Sequence, residues 1–166
     1  MIEIQVLRSD ELHIWKKLRL EALAEAPYAF GDTIEEAQQR TDKEWESSLL
    51  EGDGKLFIAK YDGSPVGMAR VRRSPNAASS SGLYSMWVSP SARSKGIGKA
   101  LMNAALAWAG VAGVDEMVLY VTQGSDAAKR LYLASGFVET GELQPLRSSP
   151  DIQMEAMAKR IPRRAV

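Results

Sequence analysis

A strand, a glycine-rich basic turn and a helix follow one another in the middle of this chain. The apolar and aromatic run Leu83–Val88 precedes the turn Arg93-Ser94-Lys95-Gly96-Ile97-Gly98, and a helix-forming stretch from Lys99 to Trp108 follows it. In this order the N–H groups of the first helical turn and the positive end of the helix dipole point toward the turn. Glycine lets a ligand approach the backbone without meeting a Cβ atom. The segment therefore predicts a phosphate-binding loop.

Two common phosphate-binding motifs do not fit this turn. A Walker A loop needs an opening glycine and a closing Lys-Ser/Thr pair, but Arg93 and Ala100 occupy those end positions. A Rossmann fingerprint needs a third glycine, where this chain has Leu101, and it normally lies in the first strand–helix unit. The remaining pattern is R-x-x-G-x-G, for which an ordinary glycine turn before a core helix is the alternative interpretation.

A second motif follows about thirty residues downstream. The apolar run Met117–Val121 predicts a strand, and Ser125 is a suitable N-cap for the helix that follows. That helix carries the string Ala128-x-x-Leu131-Tyr132-x-x-x-Gly136-Phe137, in which Gly136 suits a helix end. A buried tyrosine on an amphipathic helix is the alternative interpretation of this string when it is taken alone.

Together, in this order, the two motifs resemble those of the GNAT superfamily of acyl-CoA-dependent N-acyltransferases. The resemblance implies that acetyl-CoA is the cosubstrate, that no metal takes part, and that the first motif holds the pyrophosphate. It implies that Ser125, where most relatives carry asparagine, lies against the pantetheine arm or orders the helix start. It also implies that the backbone of Trp87 and Val88 pairs with that arm. The residues implied at the pyrophosphate are Arg93, Ser94, Lys95, Gly96, Ile97, Gly98, Lys99 and Ala100.

The resemblance further implies a mechanism of direct attack by an amine on the thioester. Tyr132 would serve as general acid toward the departing thiolate, and an N–H on the strand Met86–Val88 would stabilise the oxyanion. The run Leu83–Val88 contains no carboxylate, so the general base stays open between a water relay and Glu35 or Glu36. Two aromatic residues are expected to contact the acceptor, with core packing as the alternative: Tyr28 and Phe30.

The amino-acid composition limits the class of protein to which this chain can belong. At 166 residues, with 45% hydrophobic and 25% charged residues, the chain suits one soluble domain over residues 1–166. Its 21 basic and 21 acidic residues balance, which argues against nucleic acid or an anionic membrane as a partner. The lack of cysteine excludes disulfides and thiolate-bound metals, and a cytoplasmic location is expected. A solvated basic tail is predicted over 159–166, with Lys159, Arg160, Arg163 and Arg164.

We expect a mixed α/β fold, with a central, mostly antiparallel, twisted sheet flanked by helices in the order β-α-α-β-β-β-α-β-α-β-β, as in the GNAT family. Two capping boxes, Thr33…Glu36 and Thr41…Glu44, indicate that the second helical region is broken in two. The stretch Ser74–Gly82 is predicted to be a loop. The predicted segments, besides those above, are a strand Ile2–Leu7, a helix from about Asp10 to Glu25 stopped by Pro27, hairpin strands Lys55–Tyr61 and Pro65–Arg73, and closing strands Phe137–Leu146 and Ile152–Met157.

The leading functional hypothesis is an N-acetyltransferase that acts on a primary amine of a small molecule, an amino acid or a protein. A non-catalytic acyl-CoA-binding sensor or regulatory protein is the alternative, because the strand carboxylate found in many relatives is missing. The identity of the acceptor, the length of the acyl group and the choice between a monomer and a homodimer stay open.

Overall fold

The computed structural model describes residues 1–162, except for the side chains of residues 49 and 50. Within this range the chain forms seven strands and five α-helices. The strands are β1 (Ile2–Val6), β2 (Gly54–Tyr61), β3 (Ser64–Ser74), β4 (Ala77–Val88), β5 (Glu116–Thr122), β6 (Val138–Leu146) and β7 (Ser149–Arg160). The helices are α1 (Leu12–Glu25), α2 (Ile34–Gln39), α3 (Asp42–Leu50), α4 (Ile97–Ala112) and α5 (Asp126–Ala134).

The seven strands form a single mixed sheet in the order β1-β2-β3-β4-β5-β7-β6. Every neighbouring pair is antiparallel except β4 and β5, which run parallel and are connected through α4. Their pairing covers only three residue pairs, from Ser80↔Glu116 to Gly82↔Val118. Buried Ser81 strengthens the junction, because its Oγ donates to the carbonyl oxygen of Glu116 at 2.9 Å. Beyond Gly82 the pairing stops, which leaves a fork between the two strands.

Helices cover both faces of the sheet, because the strands alternate apolar side chains between the faces. In β2, Phe57 and Ala59 pack into the cluster with α4 and α5, whereas Ile58 packs into the cluster with α1. The inner stripe of α1 includes Trp15 and Leu18, which are almost fully buried. Burying one large apolar side chain contributes about 1.5–3 kcal/mol, so these two layers hold the strands that form the fork.

Most of the predicted layout is confirmed, including the fold class and the break in the second helical region. Thr33 caps α2 by accepting from the Glu36 amide, and Thr41 forms a capping box at α3. The hairpin between β2 and β3 turns at Asp62-Gly63, where both residues have positive φ. The predicted first helix begins instead at Leu12, after a short 3₁₀ turn over Ser9–Glu11.

The prediction of a loop over Ser74–Gly82 is wrong. Strand β3 continues to Ser74, the chain turns at Pro75-Asn76, and β4 begins at Ala77. This serine-rich segment is stabilised from both sides, because Ser81 pairs with Arg73 on β3 and with Met117 on β5. Tertiary pairing has overridden a weak local strand propensity.

The prediction of a basic tail that begins at residue 159 is wrong at its first two positions. Lys159 and Arg160 belong to β7, where they pair with Met117 and Glu116 of β5. Arg163 and Arg164 lie outside the described residues. No helix among residues 1–162 has the length and apolar character needed to cross a membrane.

Candidate active site

A cleft of about 410 Å³ opens at the fork between β4 and β5. Its walls come from Leu83–Met86 on one strand and Leu119–Thr122 on the other. Helix α5 contributes Tyr132, and α1 contributes Arg19. The hairpin between β6 and β7 and the loop after α1 cover one side, where Ser148 Oγ donates to the Phe30 carbonyl at 3.1 Å. The cleft is therefore enclosed by elements from most of the chain.

A β-bulge shapes the β4 wall of the cleft. Met68 pairs with Trp87 and Arg70 pairs with Tyr84, so Ser85 and Met86 both lie opposite Ala69. Ser85 has a φ of 56°, an uncommon conformation for a residue other than glycine. A bulge of this kind interrupts the ladder and redirects a side chain. Here the bulge directs Ser85 into the cleft.

A buried charge cluster lies behind Ser85. Arg19 donates to Ser85 Oγ through Nη1 at 2.8 Å and to Asp32 Oδ1 through Nη2 at 2.5 Å. Arg40 donates to the other oxygen of Asp32 at 2.9 Å. The guanidinium of Arg19 also lies 4.5 Å from the ring centroid of Phe30. The cluster thus connects α1, the following loop and α2 to the bulge in β4.

The surroundings of the cluster lower the pKa values of Arg19 and Asp32. Burial lowers the pKa of Arg19, although the neighbouring Asp32 opposes that shift. Burial alone would raise the pKa of Asp32, but Arg19 and Arg40 more than offset it and hold the pKa below its usual value. Arginine pKa values lie far above neutrality, so Arg19 and Asp32 are both charged at neutral pH.

Tyr132 lies on the cleft wall, on the inner face of α5. Its side chain is buried, and its ring packs edge-on against Phe137 with centroids 6.3 Å apart. Burial raises the pKa of the Tyr132 hydroxyl to about 12. The phenol is therefore protonated over the whole physiological pH range and can donate a proton to a group in the cleft.

The turn before α4 has the geometry of an anion cradle. Gly96 is the N-cap of α4 with a φ of 85°, and no side chain caps the helix. The first helical hydrogen bond runs from the Ala100 amide to the Gly96 carbonyl at 3.0 Å. The N–H groups of Ile97, Gly98 and Lys99 precede this bond and are left for a ligand. Ser94, Lys95 and Lys99 are exposed around them.

Two cations of the first motif are engaged elsewhere in this structure. Arg93 donates from Nε to the Val88 carbonyl at 3.0 Å and from Nη2 to Glu25 at 2.9 Å. The ammonium of Lys95 lies 5.3 Å from the ring centroid of Tyr61. The backbone, rather than these side chains, is directed to the anion position.

Trp87 and Val88 differ in what they offer to a ligand. The indole of Trp87 donates to Glu25 at 3.0 Å, and its backbone pairs with Met68 on β3. The Ser89 amide donates to the Val66 carbonyl, and peptide directions alternate along an antiparallel ladder. The peptide groups of Val88 are therefore directed away from β3. Of these two residues, Val88 has its peptide groups outside the ladder with β3, and its carbonyl oxygen already accepts from Arg93 Nε.

Of the other predicted contact residues, Ser125 and Phe30 line the cleft, whereas Tyr28 does not. Ser125 is the N-cap residue of α5 and lines the cleft, but its side chain makes no capping hydrogen bond. Phe30 lines the cleft beneath Arg19, whereas the side chain of Tyr28 is 56% exposed and absent from the lining. Tyr28 contributes only its carbonyl, which accepts from Thr122 Oγ1 at 2.6 Å.

The two carboxylates considered as general base are not placed for that role. Glu35 is exposed and absent from the cleft lining, and Glu36 forms an ion pair with Arg147 at the rim. Among the described residues no Asp or Glu side chain lines the cleft. No cluster of metal-ligating side chains is found in residues 1–162 either.

Sequence reasoning missed several polar residues of the cleft, among them Arg19, Ser85 and Arg147. Arg19 had a signal, because it falls on the inward stripe of α1 between Trp15 and Ala22, where a charge is unusual. The positive φ of Ser85 and the position of Arg147 on the β6–β7 hairpin depend on tertiary structure. No local sequence pattern predicts either of these two features.

Comparison with known proteins agrees with this geometry. The family model described as "Acetyltransferase (GNAT) family" matches residues 15–137. A mycothiol acetyltransferase of Thermobispora bispora is 32% identical over 127 residues, which cover 74% of this chain and 41% of that protein. The chain thus spans about two fifths of the length of such curated relatives.

Solved structures share the fold over the whole chain. A GNAT-family acetyltransferase from Streptococcus pneumoniae superposes with a TM-score of 0.79 at 18% identity, covering 98% of this chain and 100% of the other. YncA from Salmonella typhimurium, a putative acetyltransferase solved with its cofactor acetyl-CoA, has a TM-score of 0.76 at 16% identity, covering 100% and 97%. On the match to the family model and the fold that these structures share, the chain belongs to the acetyltransferase (GNAT) family.

Proposed function

We propose that this chain is an N-acetyltransferase domain that transfers an acetyl group from acetyl-CoA to a primary amine. One observation carries the proposal: β4, whose pairing with β5 stops beyond Gly82, borders the cleft that Tyr132 lines and leads along the chain to the uncapped N-terminus of α4. An extended amide-bearing arm, a thioester and a phosphate need these three features, respectively. We propose that residues 1–166 form a single domain with this activity.

The chain's own groups fit the cofactor at these three features. The N–H groups of Ile97, Gly98 and Lys99 would hold the pyrophosphate at the positive end of the α4 dipole. A Cβ atom added to Gly96 would meet nothing within 4 Å, so the cradle is open toward solvent. The N–H group of Val88 would pair with the arm in the manner of strand addition, whereas its carbonyl oxygen already accepts from Arg93. The narrow junction at Ser81 fixes how deep the arm enters.

When bound, acetyl-CoA supplies an activated thioester whose carbonyl carbon accepts the amine and whose sulfur leaves as a thiolate. The bulge interrupts the ladder at Met86, and its N–H is suited to donate to the oxygen on which negative charge develops. Tyr132 holds the proton that the sulfur requires. The amine must lose a proton in the same reaction, and with no carboxylate among the described residues of the cleft lining, water carries it to solvent, from which a proton returns to Tyr132.

The direct test measures release of CoA from acetyl-CoA in the presence of primary amines, with the acetylated product identified by mass spectrometry. We expect acetyl-CoA to raise the midpoint of thermal unfolding and at least one amine to be acetylated. Binding without turnover on any amine would instead favour the acyl-CoA sensor. No stabilisation by acetyl-CoA would contradict both functions.

The acceptor is not carried over from the curated relatives. Their name, mycothiol acetyltransferase, describes proteins of which this chain covers about 41%. The acceptor-facing wall of the cleft depends on Arg19, Ser85 and Arg147. Because the chain is 32% identical to one of these relatives over 127 residues, the acceptor panel includes a mycothiol-related amine beside amino acids and polyamines.

A further inference from the structure

The acceptor side of the cleft has an excess of buried positive charge. Arg19 and Arg40 share a single carboxylate, Asp32, and each uses one of its oxygens. The other charged group that acts on Arg19 is also an arginine, Arg70. The side chain of Arg19 is only 13% exposed. A charge in such surroundings is costly to bury unless a group of opposite charge compensates it.

Arg19 still has donors to offer on the cleft side. Its two terminal nitrogens make one hydrogen bond each, to Ser85 and to Asp32, and each carries a second N–H. Ser85 Oγ accepts from Arg19, so its own hydroxyl proton is available to a ligand. The planar guanidinium and the hydroxyl together form a donor set suited to a carboxylate.

The neighbouring acidic groups do not cancel this charge. Glu36 is paired with Arg147 at the rim of the cleft. Glu142 accepts from Gln144 at 3.0 Å and from Tyr120 at 3.4 Å, at the edge formed by β6. Neither carboxylate contacts Arg19 or belongs to the lining of the cleft.

We propose that the acceptor is an α-amino acid or a short analogue, and that Arg19 and Ser85 bind its carboxylate. This inference rests on the acetyltransferase function proposed above. Ser85 is next to Met86 in the bulge, where the thioester oxygen is expected to bind. A carboxylate held by Ser85 and Arg19 therefore lies within a few bonds of the nitrogen that attacks. Arg19 and Ser85 are thus the residues that determine acceptor specificity.

The first test uses the standard L-amino acids, β-alanine and γ-aminobutyrate as acceptors. Each acid is compared with its own carboxamide, and the acids as a group are compared with polyamines. The readout is kcat/KM for CoA release. We expect the best acid to exceed its amide by about tenfold or more, since charge-assisted hydrogen bonds are the stronger ones. This preference would oppose intrinsic reactivity, because the amide has the less basic amine and the larger unprotonated fraction.

The outcomes of this test separate the two proposals. If amides or polyamines react as fast as the acids, or if no acid reacts while acetyl-CoA binds, the carboxylate proposal is wrong. Acetyl transfer to an amine without a carboxylate would leave the acetyltransferase function intact. Failure of acetyl-CoA to bind would remove the acetyltransferase function itself.

The second test alters the binding residues. Arg19→Met should reduce the ratio of acid to amide kcat/KM about 10- to 100-fold, through KM for the acid. Arg72→Met is the matched control, because Arg72 is partly buried, pairs with Glu51 and does not line the cleft. The control should keep the ratio.

A smaller variant guards against misfolding. If Arg19→Met shows no cooperative thermal transition, Ser85→Ala removes one hydroxyl and should reduce the same ratio by about three- to tenfold. An unchanged ratio in a folded Arg19→Met or Ser85→Ala protein would overturn the assignment.

Discussion

The two proposed binding regions, a donor end at the N-terminus of α4 and an acceptor end in the cleft, are built from different parts of the protein. The donor end consists of backbone groups from one contiguous turn, Gly96 to Lys99. The acceptor end consists of side chains from separate elements, with Arg19 on α1, Asp32 in the following loop and Ser85 on β4. A site made of backbone can be encoded in a short motif, whereas a site made of distant side chains exists only after folding. Substitutions at the two ends should therefore have different consequences.

The largest effect is expected where the two ends meet, at Tyr132. Tyr132→Phe should lower kcat by about 10²- to 10⁴-fold, because the general acid is removed, with little change in KM for acetyl-CoA. Tyr120→Phe is the control, since that hydroxyl also lies in the cleft but is engaged with Glu142. Unchanged turnover by Tyr132→Phe would show that another group protonates the thiolate.

The same residue predicts the alkaline side of the pH profile. With its pKa raised to about 12, Tyr132 keeps its proton well beyond the ordinary tyrosine value of about 10. The rate should therefore not decline below about pH 10 through loss of this proton. A decline with an apparent pKa near 8 or 9, present in the wild type and absent from Tyr132→Phe, would contradict the buried general acid.

Substitutions at the acceptor end should lower the free energy of unfolding more than substitutions at the donor end. Asp32→Asn leaves two arginines without their shared counter-ion, and the free energy of unfolding should fall by about 3–5 kcal/mol. Glu36→Gln breaks the more exposed pair with Arg147 and should cost at most about 1 kcal/mol. Urea unfolding at neutral pH measures both. Similar losses for both variants would show that the buried cluster contributes no more to stability than the exposed ion pair.

Acid should reduce the difference between wild type and Asp32→Asn. The pKa of Asp32 is lower in the folded state than the usual value of about 3.9. Its contribution to stability is therefore present above that unfolded value and is lost as the pH falls through the lower folded value. Urea unfolding repeated at about pH 3 should show a smaller gap between the two proteins.

The donor end should respond to backbone conformation. Gly96→Ala forces an alanine to a φ of 85°, at a cost of about 1–2 kcal/mol, and should raise the Kd for acetyl-CoA by about tenfold. Gly110→Ala is the control within the same helix, where alanine should stabilise by about 0.5–1 kcal/mol. Calorimetric titration measures the first effect and thermal unfolding the second. An unaltered Kd for Gly96→Ala would mean that the cradle does not depend on this conformation.

The smallest effect is expected at Glu25. A hydrogen bond from Arg93 is the main reason that the pKa of Glu25 lies below its usual value, so the two groups are ion-paired at neutral pH. Glu25→Gln releases Arg93 toward the anion position and should lower KM for acetyl-CoA about two- to fivefold. Glu21→Gln, on the same helix but paired with Lys17, should not change it. A higher KM for Glu25→Gln would show that the pair positions the cradle instead.

The contrast between the two ends also explains what the sequence could predict. The family, the fold class and the placement of Tyr132 and Ser125 in the cleft follow from contiguous motifs. Arg19 carried a weak signal as a charge on an apolar helix stripe. The bulge at Ser85 and the seating of the β6–β7 hairpin over Phe30 depend on long-range pairing, which local residue patterns do not encode. The serine-rich start of β4 was missed for the same reason.

The short junction between β4 and β5 has a consequence for folding. Strands β1 to β4 form one antiparallel piece of the sheet and β5 to β7 form another, and the strand pairing between the two pieces covers only three residue pairs. Each piece can have its secondary structure while the cleft between them does not yet exist. Recovery of acetyl-CoA binding during refolding therefore reports the joining of the two pieces, whereas recovery of circular dichroism reports the pieces themselves.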